Sequence, residues 1–234
     1  MKAGFLMQVS LAPMSLDFPA TAILALHDAC LSRPDWPTPI DAAGMSPAMR
    51  EVARTVPQGP LAQAWEWVLV NHHFNCSLWN EEDLARRTQA GDAEIAGNKR
   101  NIDRFNQARN DAMERIDDAL LKLAADWPRE ASARASSETA GAMIDRLSIL
   151  SLKVHHMGLQ TTRTDVDQAH RDNALSRQAT LSQQRADLAS CFDRLLDEMA
   201  AGTGFFRIYR QFKMYNDPNL NPALVAERQV RSGA

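Results

Sequence analysis

Five of the six histidines, His72, His73, His155, His156 and His170, fall in stretches that also carry Asn75, Asn106, Arg109, Asp145, Arg146 and Lys153. These residue types suit an anionic ligand such as a phosphorylated sugar or a sugar nucleotide. Arg109, Lys153 and Arg146 would supply positive charge, the arginines as forks that match phosphate oxygens. Asn75, Asn106 and Gln107 would orient hydroxyls. His156 or His72 would carry a proton, because imidazole titrates closest to neutral pH. Asp145, His155 and His170 complete the polar set.

Two other readings compete. Bundle metal centres draw Glu and His from facing helices, but the chain has no Glu-x-x-His and no His-x3-His pair. Neighbouring histidines point about 100° apart on a helix, so each pair offers one inward ligand. No metal ligand or cofactor is assigned on this basis. The other reading is a satisfied buried network that fixes helix register and takes no ligand. The acidic run Glu81, Glu82, Asp83 resembles magnesium-binding clusters of helical pyrophosphatases, with Asp103 or Asp111 to complete it. Arg86 and Arg87 follow at about i+4, which favours a solvated, ion-paired face.

The elements that position these residues are helices. Eight of the eleven prolines lie in residues 1–60, and only Pro128 interrupts Leu61 to Asp217. Proline breaks helix interiors, so 61–217 reads as long helices and 1–60 as an irregular arm. Within the arm, Pro19–Cys30 and Ser46–Val56 suit short helices, SRPDWPTPIDAAG is loop, and His27 stands alone, as a packing or surface residue. Four long helices are predicted: Leu61 to about Arg87, Asp92 to Asp126, Ser137 to Gly158, and Thr164 to Ala201. A short fifth should span Phe205 to Tyr215, followed by a turn-rich close and a loose tail from residue 225.

The third helix carries apolar side chains on more than one face, the mark of a central helix. Ser136 and Ser137 are its expected caps and Gly158 its left-handed stop. In the second, Ile95, Ile102, Arg109, Ile116 and Leu123 fall seven apart, four apolar residues around one arginine. Short loops imply an antiparallel up-down bundle. Counting equal residues from each turn then levels Asn75 with Asn106, Arg109 with His155 or His156, and His156 with His170. One polar slab is the expectation, and separations above about 11 Å along the axis would exclude it.

The totals are those of an ordinary globular chain: 45% apolar, 24% charged, net charge −3. That balance argues against nucleic-acid binding, which needs a basic surface. Cys30, Cys76 and Cys191 are scattered, so a reducing cytoplasm fits better than a disulfide framework. No run approaches the ~20 apolar residues of a membrane span.

Several long stretches, in order, resemble one family. They are NCSLWNEEDLAR (Asn75 to Arg86), KRNIDRFNQARND (Lys99 to Asp111), ETAGAMIDRLSILSLKVHHM (Glu138 to Met157), RTD (Arg163 to Asp165) and YRQFKMYNDPNLNP (Tyr209 to Pro222). Together they are similar to the bacterial domain-of-unknown-function family 4254 over about residues 61–224. The resemblance implies a cytoplasmic bacterial protein in the setting of envelope-polysaccharide assembly, with a glycosyltransferase as a candidate partner. It carries no catalytic residues. The expectation is an all-α, single-domain protein whose bundle pocket binds, or acts on, a phosphorylated sugar or sugar nucleotide. The alternatives are a non-catalytic partner of a glycosyltransferase and a metal-dependent hydrolase; a homodimer is a further expectation for a long bundle face.

Overall fold

The fold is seen in a computed structural model, which describes residues 15–39, 45–210 and 217–232. Its helices are α1 (Ala20–Leu31), α2 (Pro47–Ala53), α3 (Ala62–Leu84), α4 (Asp92–Leu123), α5 (Ala140–Thr161), α6 (Gln168–Ala200) and α7 (Pro222–Ser232). Two short strands, β1 (Arg134–Ala135) and β2 (Gly204–Phe205), pair in parallel. The architecture is the expected all-α bundle. Two antiparallel hairpins, α3–α4 and α5–α6, meet through α5, which touches α1, α3, α4 and α6.

Local chemistry explains most helix ends. Ser46 caps α2 by accepting from Met49 N at 3.1 Å, and Pro47 follows at the first helical position. Asp167 caps α6 through His170 N at 2.8 Å. Gly202, at φ +78°, ends the α6 segment in the left-handed conformation that glycine tolerates best.

Helices α2, α3 and α4 end about three residues early and α6 starts at Gln168 rather than Thr164, and four further differences alter the reading of the fold. Helix α5 starts at Ala140, with Thr139 Oγ1 accepting from Ala142 N at 3.1 Å. The Ser136 backbone N–H is already used, donating to Phe205 O at 2.7 Å in the strand pair. Gly158 does not stop α5, which runs on to Thr161; at Gly158 the helix meets α6, where a Cβ would lie 2.7 Å from Gln178 Nε2. The helix expected at Phe205–Tyr215 is replaced over 205–210 by β2 and irregular chain; residues 211–215 lie outside the described residues. The terminal helix instead forms at Pro222–Ser232, covering most of the residues expected as a loose tail.

Residues 18–30 pack into the bundle core. Phe18, Ile23, Leu26 and Cys30 are buried in the same core as Trp65, Ile116, Ile144, Leu147 and Phe192. Phe18 packs edge-on against Trp65 at 4.5 Å between centroids. Full burial of each such side chain stabilises by about 1.5–3 kcal/mol.

Candidate functional site

The polar centre lies where α3, α4 and α5 meet. Asp145, on α5, is 8% exposed. Its Oδ1 accepts from Asn71 Nδ2 at 2.9 Å and from Asn75 Nδ2 at 3.0 Å, and Arg109 Nε lies 3.8 Å away. Asn71 and Asn75 are one turn apart on α3, so both amides reach the same carboxylate. Asn75 Nδ2 also donates to Ser148 Oγ at 3.0 Å, and Ser148 bonds His72 Nδ1 at 2.8 Å. The other His72 nitrogen faces Cys76 Sγ at 3.7 Å, and the tautomer sets which group donates in each contact. A buried charge tolerates this environment because fixed donors replace its water.

Behind this network sits a sealed aromatic cell. His27 stacks on His72 at 4.3 Å, and Trp36 lies over His72 at 5.9 Å. Both His27 ring nitrogens lack a partner among the described residues. Burial, then His72 and Arg185, hold His27 well below the usual imidazole range. Burial likewise lowers His72 to about 3 and His73 to about 4, so all three are neutral at neutral pH. Burial lifts the Cys76 thiol to about 12 despite the Trp36 indole N–H donating to it at 3.2 Å. His27 is therefore a core ring with a specific neighbour.

In front of the network, a groove of about 400 Å³ opens between the three helices. Asn75, Asn106 and Arg109 form its polar floor, Ile149 and Leu152 its α5 wall, and Trp79 and Arg86 part of its α3 rim. Arg109 is three-quarters buried. It donates to Asn110 Oδ1 at 3.2 Å, while its Nε has no hydrogen-bond partner among the described residues. Trp79 stacks flat on His156, 4.4 Å between centroids and 5° between planes. Burial, then His155, lower the His156 pKa, and Asp83 pulls it back up.

The structure thus gathers Asn75, Asn106, Arg109 and Asp145, and separates the rest. His72 is fully buried behind Ser148 and has no path to the groove as a proton carrier. Arg146 pairs with Glu138 at 2.5 Å, and exposed Lys153 lies with it in a different groove, between α5 and α6. The expected trio of cations does not converge, because residues 145 and 146 diverge by about 100° on one helix. His155 is edge-on to His156 at 5.4 Å, and exposed His170 bonds Gln160 at 3.3 Å. The single slab fails: Arg109 lies level with Asn71, whose amide donates to Arg109 O at 3.4 Å, whereas His156 stacks on Trp79, eight residues or about 12 Å further along α3. The reason is stagger. The α4–α5 connection runs back along α4, so α5 begins level with Asp117, whose carboxylate accepts from Gly141 N at 2.6 Å.

Sequence reasoning passed over Asn71 and Ser148 as ligands of the network and Trp79, Glu82 and Arg86 as rim. The signal was available for α3: positions 75, 79, 82 and 86 share one helical face. The ion-paired reading of the acidic run holds for Glu82–Arg86, at 2.7 Å, whereas Glu81 turns to the other side and accepts from Asn98 and Asn101. Among the described residues, no three His, Cys, Asp or Glu side chains are grouped to hold a metal ion. Nor is any helix among them long and apolar enough to cross a membrane.

The fold and groove define a helical-bundle protein with a polar interhelical site. The chain belongs to the family described as "Protein of unknown function (DUF4254)", whose model matches residues 65–208. No curated protein and no solved structure matches it.

Proposed function

We propose that the groove between α3, α4 and α5 binds a phosphorylated sugar, in a cytoplasmic protein serving envelope-glycan assembly. The observation that carries this reading is Arg109: a three-quarters-buried guanidinium on the groove floor, its Nε turned to Asp145 Oδ1 at 3.8 Å, beside the Asn75 and Asn106 amides. A guanidinium held by Asp145 is oriented for a second anion, and amides suit hydroxyls. The 400 Å³ volume lies at the low end of the ~300–1,000 Å³ of small-molecule sites. That favours a single sugar phosphate over a whole sugar nucleotide. Should the site be catalytic, we assign proton transfer to His156, which stacks on the rim residue Trp79. The glycan setting rests on the family resemblance.

Thermal unfolding with hexose phosphates, sugar nucleotides and inorganic phosphate tests the proposal. A ligand at a hundred times its Kd adds about 2.7 kcal/mol, roughly 5–10 °C for a chain of this length. The expected result is a shift with hexose phosphates that Arg109→Gln abolishes. A flat panel, or an equal shift in Arg109→Gln, would overturn it and favour a non-catalytic partner of a glycosyltransferase.

A further inference from the structure

The α3–α4 pair has a second lining. Neighbours in sequence diverge by about 100°, so Phe74, Glu81, Phe105 and Ala108 face away from Asn75, Glu82, Asn106 and Arg109. They line an outer groove of about 630 Å³, walled by Pro37, Thr38 and Pro39. Phe74 and Phe105 stand 5.8 Å apart, tilted by 39°. The Arg104 guanidinium lies 5.0 Å over the Phe105 ring and donates to Asn101 Oδ1 at 3.1 Å. Among the described residues these are its partners, and neither is a carboxylate.

Two polar atoms of this lining, His73 Nδ1 and Thr38 Oγ1, are buried with no hydrogen-bond partner among the described residues. His73 is 98% buried, with 2% of its surface exposed. Leaving such a group unpaired costs about 1–3 kcal/mol, and native interiors rarely do so without a reason. An apolar occupant would leave both unpaired. A sugar would offer hydroxyls but no flat π face to the rings and the guanidinium. A heteroaromatic ring with a polar edge answers both features, since bases stack on aromatic rings and on Arg planes and bond through their edges.

We propose that the outer groove is a nucleotide site. The base packs against Phe74 and Phe105, its edge meets His73 Nδ1 and Thr38 Oγ1, and Arg104 holds the phosphate. Burial keeps His73 uncharged near neutrality, so Nδ1 can serve a base edge as donor or as acceptor, according to the tautomer. This site is independent of the sugar-phosphate groove on the opposite lining of the same two helices.

The test is calorimetric titration of the full chain with AMP, GMP, CMP and UMP, with the matching nucleosides, and with ribose 5-phosphate. At least one nucleotide should bind saturably, and ribose 5-phosphate should not. Arg104→Gln, an exposed change that leaves the fold intact, should weaken that nucleotide by about tenfold and leave its nucleoside within about twofold. Ala108→Trp should fill the groove and abolish both, with helical content checked by circular dichroism. Arg109→Gln should leave nucleotide binding unchanged. The proposal is overturned by no saturable binding up to millimolar nucleotide, or by ribose 5-phosphate binding equally well. It is also overturned if Arg109→Gln, and not Arg104→Gln, weakens the nucleotide, which would place the ligand in the inner groove.

Discussion

Acid should unfold this protein earlier than its surface carboxylates would dictate, because three imidazoles are sealed in the core uncharged. His27, His72 and His73 titrate in the unfolded chain near 6.5, and in the fold His73 falls to about 4, His72 to about 3, and His27 well below the ordinary value. A depressed folded pKa stabilises above the unfolded value, and that stability is lost as pH falls toward the folded one. Each such histidine loses about 1.4 kcal/mol per pH unit below 6.5, or about 5 kcal/mol for His72 and His73 together by pH 4.5, with His27 adding in the same direction. Asp117 opposes them. Burial raises its pKa from 3.8 to about 6, against the pull of its bonds to Thr139 and Gly141. A raised folded pKa stabilises at low pH and is lost as pH rises through it, so acidification to 4.5 returns about 2 kcal/mol. The net loss, about 3 kcal/mol before the His27 contribution, is a large share of the 5–15 kcal/mol stability of a typical domain. Urea unfolding followed by circular dichroism from pH 7.5 to 4.5 measures it. Near pH 5.5 the slope should correspond to at least about one proton, or about 1.4 kcal/mol per pH unit. His27→Phe should lower that slope and cost little at pH 7.5, since both ring nitrogens are without a hydrogen bond among the described residues. A slope below one proton, or one unchanged by His27→Phe, would refute the sealed-imidazole argument.

Asp145→Ala leaves the Asn71 and Asn75 amides and Arg109 facing an empty acceptor position; a loss of about 3–5 kcal/mol is expected, and a urea-unfolding loss under about 1 kcal/mol would contradict the network. Gly141→Ala should destabilise by at least the ~1–3 kcal/mol of an overpacked core, because a Cβ there runs into Met113 O and lies 3.0 Å from the Asp117 carboxyl; an unchanged melting temperature would mean that α4 and α5 are further apart. Gly202→Ala is expected to cost about 1–2 kcal/mol in thermal unfolding, since φ is +78° and Pro128 O would sit 3.0 Å from the new carbon. Arg210→Ala removes exposed bonds to Glu114 and Asp118 and should change stability by no more than about 1 kcal/mol.

Much of the site was legible because α3 and α4 form a close hairpin around one short turn. Equal counting from Gly91 placed Asn75 opposite Asn106, and both line the inner groove. The same counting failed across the α4–α5 connection, where sixteen residues separate Leu123 from Ala140 and the chain doubles back through β1. Stagger of that kind depends on loop path, which helix periodicity does not encode. His27 is the packing residue its isolation suggested, but its partner His72 is forty-five positions away, and nothing within α1 announces it.

By itself the sequence determined what is local. Proline placement, heptad spacing and capping side chains set which residues are helical and which faces are apolar, because these follow from φ limits and a repeat of 3.6 residues. Only the tertiary structure decided which polar residues meet. It joined Arg109 to Asp145, sent Arg146 and Lys153 to another groove, and folded the N-terminal segment into the core. Helix stagger and rotation are set by packing summed over many long-range contacts. A shift of one residue turns a side chain by about 100°, enough to move it from one groove to the next.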